Sequence, residues 1–87
     1  MTGHPRHLTS TVTVESIGEV DVSTIDLSCH GVRFLTGCET CLFWGGNSDV
    51  VESYATWDQA VQGHAEWESA EKVARALHAM YRDRINN

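Results

Sequence analysis

Proline, basic residues and long apolar runs are all scarce in this sequence. It has one Pro, at position 5, and six Lys and Arg against twelve Asp and Glu, which gives a formal net charge of −6. Seven of the acids but only two of the bases fall within residues 1–55. Because a negative surface repels phosphate, we do not expect nucleic acid to be a partner.

No apolar run is long enough to cross a membrane. The longest uninterrupted one is Cys41-Leu42-Phe43-Trp44, whereas a spanning helix needs about 18 residues. No secretory segment is recognisable either. We therefore expect a cytoplasmic protein without a membrane partner, whose three cysteines are thiols and not a disulfide framework.

The remaining composition is that of a globular protein. With 41% hydrophobic residues, the chain has the apolar content that disordered proteins lack. Residues 1–7 show no periodicity and are expected to form a flexible arm. Residues 8–87 are expected to form a single domain, with strands within residues 8–55 and a helix over residues 57–85.

Alternating apolar and polar residues predict the strands. Leu8, Ser10, Val12 and Val14 would share one face of the first strand. In the second strand, residues 20–27, Val20 and Val22 fall on one face but Ile25 and Leu27 fall on the other. We expect a β-bulge near Ser23-Thr24 to bring all four apolar residues to the same face. Residues 39–44 and 50–54 would pair as a hairpin across the turn Gly45-Gly46-Asn47-Ser48-Asp49.

The periodicity becomes helical after residue 56. Thr56 and Gln59 have the spacing of a capping box, and apolar residues then recur at helical spacing as far as Ile85. Gly63 would mark a bend or a close contact. The predicted fold is α+β: an antiparallel β-meander of about four strands with one long C-terminal α-helix.

Three segments, residues 22–27, 39–43 and 54–64, resemble a known family. Their sequences are VSTIDL, ETCLF and YATWDQAVQGH. They are similar to VSTV…ETMVF…YATWEEAxxGH segments in small actinobacterial and actinobacteriophage proteins of no assigned activity. Cys41 departs from the Met or Val usual there. The resemblance implies a phage or actinobacterial origin, hence the cytoplasm of a bacterial host, and strands followed by a helix.

The cysteines and histidines raise the question of zinc. Cys29, Cys38 and Cys41, with His30 or His64 as a fourth ligand, have the donor types that a tetrahedral zinc site uses. However, residues three apart on a strand point to opposite faces, which separates Cys38 from Cys41. We therefore favour plain thiols, assign no metal or cofactor, and keep a small zinc-stabilised module as the alternative.

No catalytic grouping is visible in the sequence. No Ser or Cys is recognisably matched to a His and an acid, and His64 lies on the apolar stripe of the helix. That position favours a hydrogen-bonded core histidine over a general base. We therefore expect a non-enzymatic interaction protein.

The expected partner surface is the end of the helix. A single helix over residues 57–85 would overhang its sheet and leave an apolar stripe uncovered. That stripe consists of Val73, Leu77, Met80, Tyr81 and Ile85. We expect it to form a homodimer or to bind a host protein.

Overall fold

The computed structural model describes residues 6–27 and 37–85, with side chains as far as residue 80. Its elements, in order, are β1 (His7–Val14), β2 (Gly18–Asp26), β3 (Cys38–Trp44), β4 (Asn47–Tyr54), α1 (Trp57–Trp67) and α2 (Ala70–Ile85). The strands form one antiparallel sheet in the order β1-β2-β3-β4. The α+β class and the four-stranded meander are confirmed. Residues 1–5 of the predicted arm, and Cys29 and His30, lie outside the described residues.

The sheet has one face covered by helices and one open face. The covered face carries a core that includes Val12, Val20, Val22 and Leu42, and the last three are fully buried. The open face carries the alternate residues, such as Thr11, which is exposed. This alternation is what a half-buried antiparallel sheet requires.

The predicted bulge near Ser23-Thr24 is wrong. The pairing of β2 with both neighbours is regular, and Thr24 continues the buried face of Val20 and Val22. A polar residue therefore occupies a core position, where the prediction assumed that only apolar residues mark the buried face. The register shift lies instead between Thr40 and Cys41, opposite β4.

The predicted hairpin is present, with a turn of two residues. Gly45 and Gly46 join β3 to β4 with φ angles of +50° and +81°. Positive φ at both central residues matches the turn twist that two-residue hairpins need, and glycine adopts it without steric cost.

The single long helix is also wrong, because the structure has two helices. Thr56 caps α1 as predicted: its hydroxyl accepts a hydrogen bond from the Gln59 backbone N–H, and the Gln59 side chain accepts one from Ala55. α1 ends at Trp67, with Glu68 as its C-terminal cap. Ser69 then starts α2 by accepting a hydrogen bond from the Lys72 backbone N–H.

The break divides the long helix on which the predicted partner surface depended. α1 packs across β2, β3 and β4, whereas α2 packs along β1. Val73 and Leu77 are 0% and 1% exposed within the single chain, and Met80 packs partly buried against the same core. The side chains of Tyr81 and Ile85 lie outside the described residues. In the described part of the chain, neither helix has the length and apolarity to cross a membrane.

Gly63 marks a close contact and not a bend. It is buried on the side of α1 that faces the sheet, directly above Tyr54 of β4. A Cβ at position 63 would overlap the Tyr54 ring and its hydroxyl. Glycine therefore allows α1 to approach the sheet with the tyrosine lying between them.

Replacement of Gly63 with Ala should lower the free energy of unfolding. Overpacking and loss of the Tyr54 hydrogen bonds should outweigh the higher helix propensity of Ala, for a net loss of about 1–3 kcal/mol. Chemical denaturation measures this loss. The matched control is Gln62→Ala, at the exposed neighbouring position. A Gly63→Ala variant as stable as the wild type would show that Tyr54 does not need this space.

Candidate functional site

A continuous series of hydrogen bonds runs beneath α1 from one edge of the sheet to the other. Six bonds join the side chains of Glu68, Ser10, His64, Thr24, Thr40, Tyr54 and Glu52, in that order. We call this set the His64 network. It uses one hydroxyl from each strand, and its members are up to 58 residues apart in sequence. Such a network contributes to the fold only in the assembled structure.

The middle of the network is sealed from water. Thr24 and Thr40 are 0% exposed and His64 is 5% exposed. The Thr24 hydroxyl lies 2.6 Å from His64 Nδ1 and 2.6 Å from the Thr40 hydroxyl. Thr24 and Thr40 are directly paired in the sheet register, which brings their side chains together on the covered face.

Each end of the network stops at a carboxylate. On the β1 side, Ser10 Oγ lies 2.9 Å from His64 Nε2 and 2.6 Å from Glu68 Oε2. On the β4 side, the Tyr54 hydroxyl lies 3.0 Å from Thr40 and 3.2 Å from Glu52 Oε1.

The Glu52 end is tied to the hydrophobic core by Trp67. The indole Nε1–H of Trp67 donates to Glu52 Oε1 over 2.8 Å, and the ring is buried in the core cluster. Trp67 therefore fixes the last turn of α1 against β4. Lys72 adds a cation–π contact, with its Nζ 4.5 Å from the ring centroid.

Burial sets the protonation states of the titratable groups inside the network. Burial lowers the pKa of His64 below its usual range, although the Glu68 carboxylate opposes this. Burial also raises the pKa of the Tyr54 phenol; the hydrogen bond with Thr40 opposes this, and the Glu52 carboxylate adds to it. At neutral pH the imidazole is therefore neutral and the phenol carries its proton.

The arrangement of Ser10, His64 and Glu68 is not that of a catalytic triad. In a triad the acid holds the imidazole nitrogen that faces away from the serine. Here Glu68 contacts the serine hydroxyl, and His64 Nδ1 is held by Thr24. An imidazole placed in this way orders hydroxyl groups and has no carboxylate to stabilise a positive charge on Nδ1.

The cysteines do not come together with His64. Cys38 is buried on the covered face, whereas Cys41 points to the open face and is half-buried. Burial raises the pKa of the Cys41 thiol, and Glu39 and Asp49 raise it further, so the thiol stays protonated. Within residues 6–27 and 37–85, no group of three or more His, Cys, Asp and Glu side chains is placed to hold a metal ion.

A second feature is the apolar patch on the open face of the sheet. Phe43 and Val50 are 44% and 46% exposed, which is high for large apolar side chains in the described structure. Cys41 pairs with Val50 and is two residues from Phe43, so the three side chains adjoin on one face. Ile25 of β2 is half-buried on the same face and lies diagonally across from Cys41, because it pairs with Glu39. We call these four residues the open-face patch.

The open-face patch is bordered by carboxylates. Glu19 and Asp21 line a shallow depression of about 430 Å³ beside Phe43, and Glu39 lies next to Cys41 on the same face. The described Arg and Lys side chains lie on the helix side. Arg6 contacts Asp26 and Trp57, while Lys72 and Arg75 pair with acids of the helices. The open face is therefore acidic around an apolar centre.

Comparison of the chain with family models, with curated proteins and with solved structures found no match. The protein has two layers, and its helices pack on one face of the sheet with a buried polar network between α1 and the strands. The hydrogen-bonded core histidine predicted at position 64 is confirmed. Its partners Thr24 and Ser10 have no local sequence signal as a pair, although the alternation in β1 places Ser10 on the buried face.

Acidification should destabilise the protein through His64. Because its pKa is lower in the folded than in the unfolded state, the stability that neutral His64 contributes is present above about pH 6.5 and is lost as the pH falls below it. The slope for one proton is at most about 1.4 kcal/mol per pH unit. Denaturation between pH 7.5 and 5.5 measures it.

The variant His64→Gln should abolish this pH dependence, and His78→Gln, at an exposed position, should keep it. A wild-type stability that is flat or rises as the pH falls through this window would contradict the assigned state of His64.

Proposed function

We propose that this is a non-enzymatic interaction protein that binds another protein through the open-face patch. The observation that carries the proposal is the exposure of Phe43 and Val50 side by side on a sheet face that no described element covers. Contiguous exposed apolar groups surrounded by polar residues are characteristic of protein-binding surfaces. The His64 network supports this proposal because it attaches α1 to the covered face and leaves the opposite face for a partner.

Charge complementarity selects the kind of partner. Glu19, Asp21 and Glu39 surround the patch, so the fitting surface has an apolar centre with Lys or Arg around it. A second copy of the same face would place carboxylates opposite carboxylates. We therefore propose a basic protein as the partner. The resemblance to actinobacterial and phage proteins makes a protein of the bacterial host the natural candidate.

The homodimer through the C-terminal helix stays a prediction, with a smaller surface to support it. Val73 and Leu77 are buried in the chain's own core and cannot also meet a partner without unfolding α2. The zinc-stabilised module would need a set of ligands other than Cys38 with Cys41, because these two cysteines lie on opposite faces of β3.

The proposal is tested by capture from an actinobacterial lysate with matched variants. The double variant Phe43→Ser and Val50→Ser should lose the captured proteins, because it removes the apolar centre of the patch. Val61→Ser should retain them, since Val61 is 42% exposed but lies on α1, away from the open face.

Raising the salt concentration should release the captured proteins, because rim charges are screened. Circular dichroism of each variant checks that it is folded, and light scattering checks that its self-association is unchanged. Capture that survives in the double variant, or that is lost in Val61→Ser, would contradict the assignment of the binding surface.

A further inference from the structure

The His64 network contains six hydrogen-bond contacts but only five donor hydrogens. Ser10, Thr24, Thr40 and Tyr54 each supply one hydrogen, and a neutral imidazole supplies one more. The two terminal carboxylates supply none. Five hydrogens therefore serve six bonds, and at any moment one bond lacks its hydrogen.

The direction of donation is the same throughout the network. Thr24 and Thr40 each make two of the six bonds and have one hydrogen, so each donates to one neighbour and accepts from the other. A neutral imidazole likewise donates from one nitrogen and accepts at the other. The tautomer of His64 therefore fixes which way every hydroxyl in the interior points.

The two tautomers place the missing hydrogen at opposite ends. With the proton on Nε2, Ser10 is free to donate to Glu68, and the missing hydrogen falls between Tyr54 and Glu52. With the proton on Nδ1, Tyr54 donates to Glu52. The single hydrogen of Ser10 can then be donated either to His64 Nε2 or to Glu68, but not to both.

The distances favour the Nε2 tautomer. The Ser10–Glu68 bond is 2.6 Å, as expected for a hydroxyl donating to a carboxylate. The Tyr54–Glu52 separation of 3.2 Å is the longest of the six, and Glu52 has a second donor there in Trp67. The missing hydrogen is thus placed at the Glu52 end.

We propose that the His64 network is a tautomeric switch, in which the carboxylate of Glu68 sets the direction of hydrogen bonding across all four strands to Tyr54 and Glu52. Glu68 is exposed at the junction of α1 and α2, where a proton or a cationic group of a bound molecule can neutralise it. When Glu68 is protonated, six hydrogens serve the six bonds, and when its side chain is removed, five hydrogens serve the remaining five; in both cases Glu52 is the terminal acceptor. That arrangement requires the proton of His64 on Nδ1.

Other charges around His64 do not take over this role. His7 of β1 lies within hydrogen-bond distance of Ser23 and acts on the His64 ring electrostatically. Glu66 is turned toward Lys72, and Asp26 of β2 pairs with Arg6. Among the described residues, Glu68 and Glu52 are the carboxylates that the hydrogen bonds connect to His64.

The ¹⁵N chemical shifts of the His64 ring at neutral pH test the switch, because the unprotonated nitrogen resonates well downfield of the protonated one. In the wild type the downfield nitrogen should be Nδ1. In Glu68→Ala it should be Nε2. In Glu52→Ala it should remain Nδ1, because five bonds and five hydrogens then end at Glu68. Glu71→Ala, which removes an exposed acid of α2, should behave like the wild type.

Amide spectra of each variant establish that it is folded, so that a changed tautomer reports the network and not unfolding. The proposal is overturned if Glu68→Ala and Glu52→Ala show the same tautomer, or if Glu71→Ala changes the tautomer as Glu68→Ala does. A wild type protonated mainly on Nδ1 would also overturn it.

Discussion

Buried hydroxyl groups must find partners within the protein, and this requirement shapes the packing of α1 on the sheet. Thr24 and Thr40 lie where the apolar core would otherwise continue, and both are fully sealed from water. An unpaired hydroxyl at such a position costs about 1–3 kcal/mol. His64 meets the requirement because its ring bonds Thr24 on one side and Ser10 on the other. α1 is thus held in one position and one rotation over the strands, which apolar packing alone does not specify as strictly.

Several features of the chain follow from that position. Tyr54 extends the hydrogen bonds to the edge strand, and Gly63 is small enough for the helix to lie above it. Trp67 closes the far end by bonding Glu52. Once α1 is aligned across β2 to β4, the strand β1 needs a separate cover. The break after Trp67 lets α2 turn and bury Val73 and Leu77 there. The opposite face of the sheet is left uncovered, with Phe43 and Val50 exposed.

The sequence predicts the strands and the start of the first helix well, because these depend on local patterns. Alternation marks β1, and the pair Thr56 and Gln59 marks the helix cap.

The site is harder to predict because its residues are polar side chains on a face that is otherwise apolar. Thr24 lies on the same buried face as Val20 and Val22. Because Thr24 is polar, a search for apolar alternation finds a change of face at this position where there is none. The helix break was missed because apolar residues recur at helical spacing on both sides of Ser69, although serine is itself a common N-cap residue. The pairing of His64 with Ser10 joins residues 54 apart and has no local signal.

The claim that hydroxyl bonding, and not apolar packing, positions α1 is tested most directly by the stability of Thr24→Val. Valine keeps nearly the same shape and removes the hydroxyl that bonds Nδ1 of His64, so a buried ring nitrogen of α1 is left without its partner. We expect a loss of about 1–3 kcal/mol in the free energy of unfolding. Thr9→Val, on the open face, should change it by less than about 0.5 kcal/mol. A Thr24→Val protein as stable as the wild type, or more stable, would show that apolar packing positions α1.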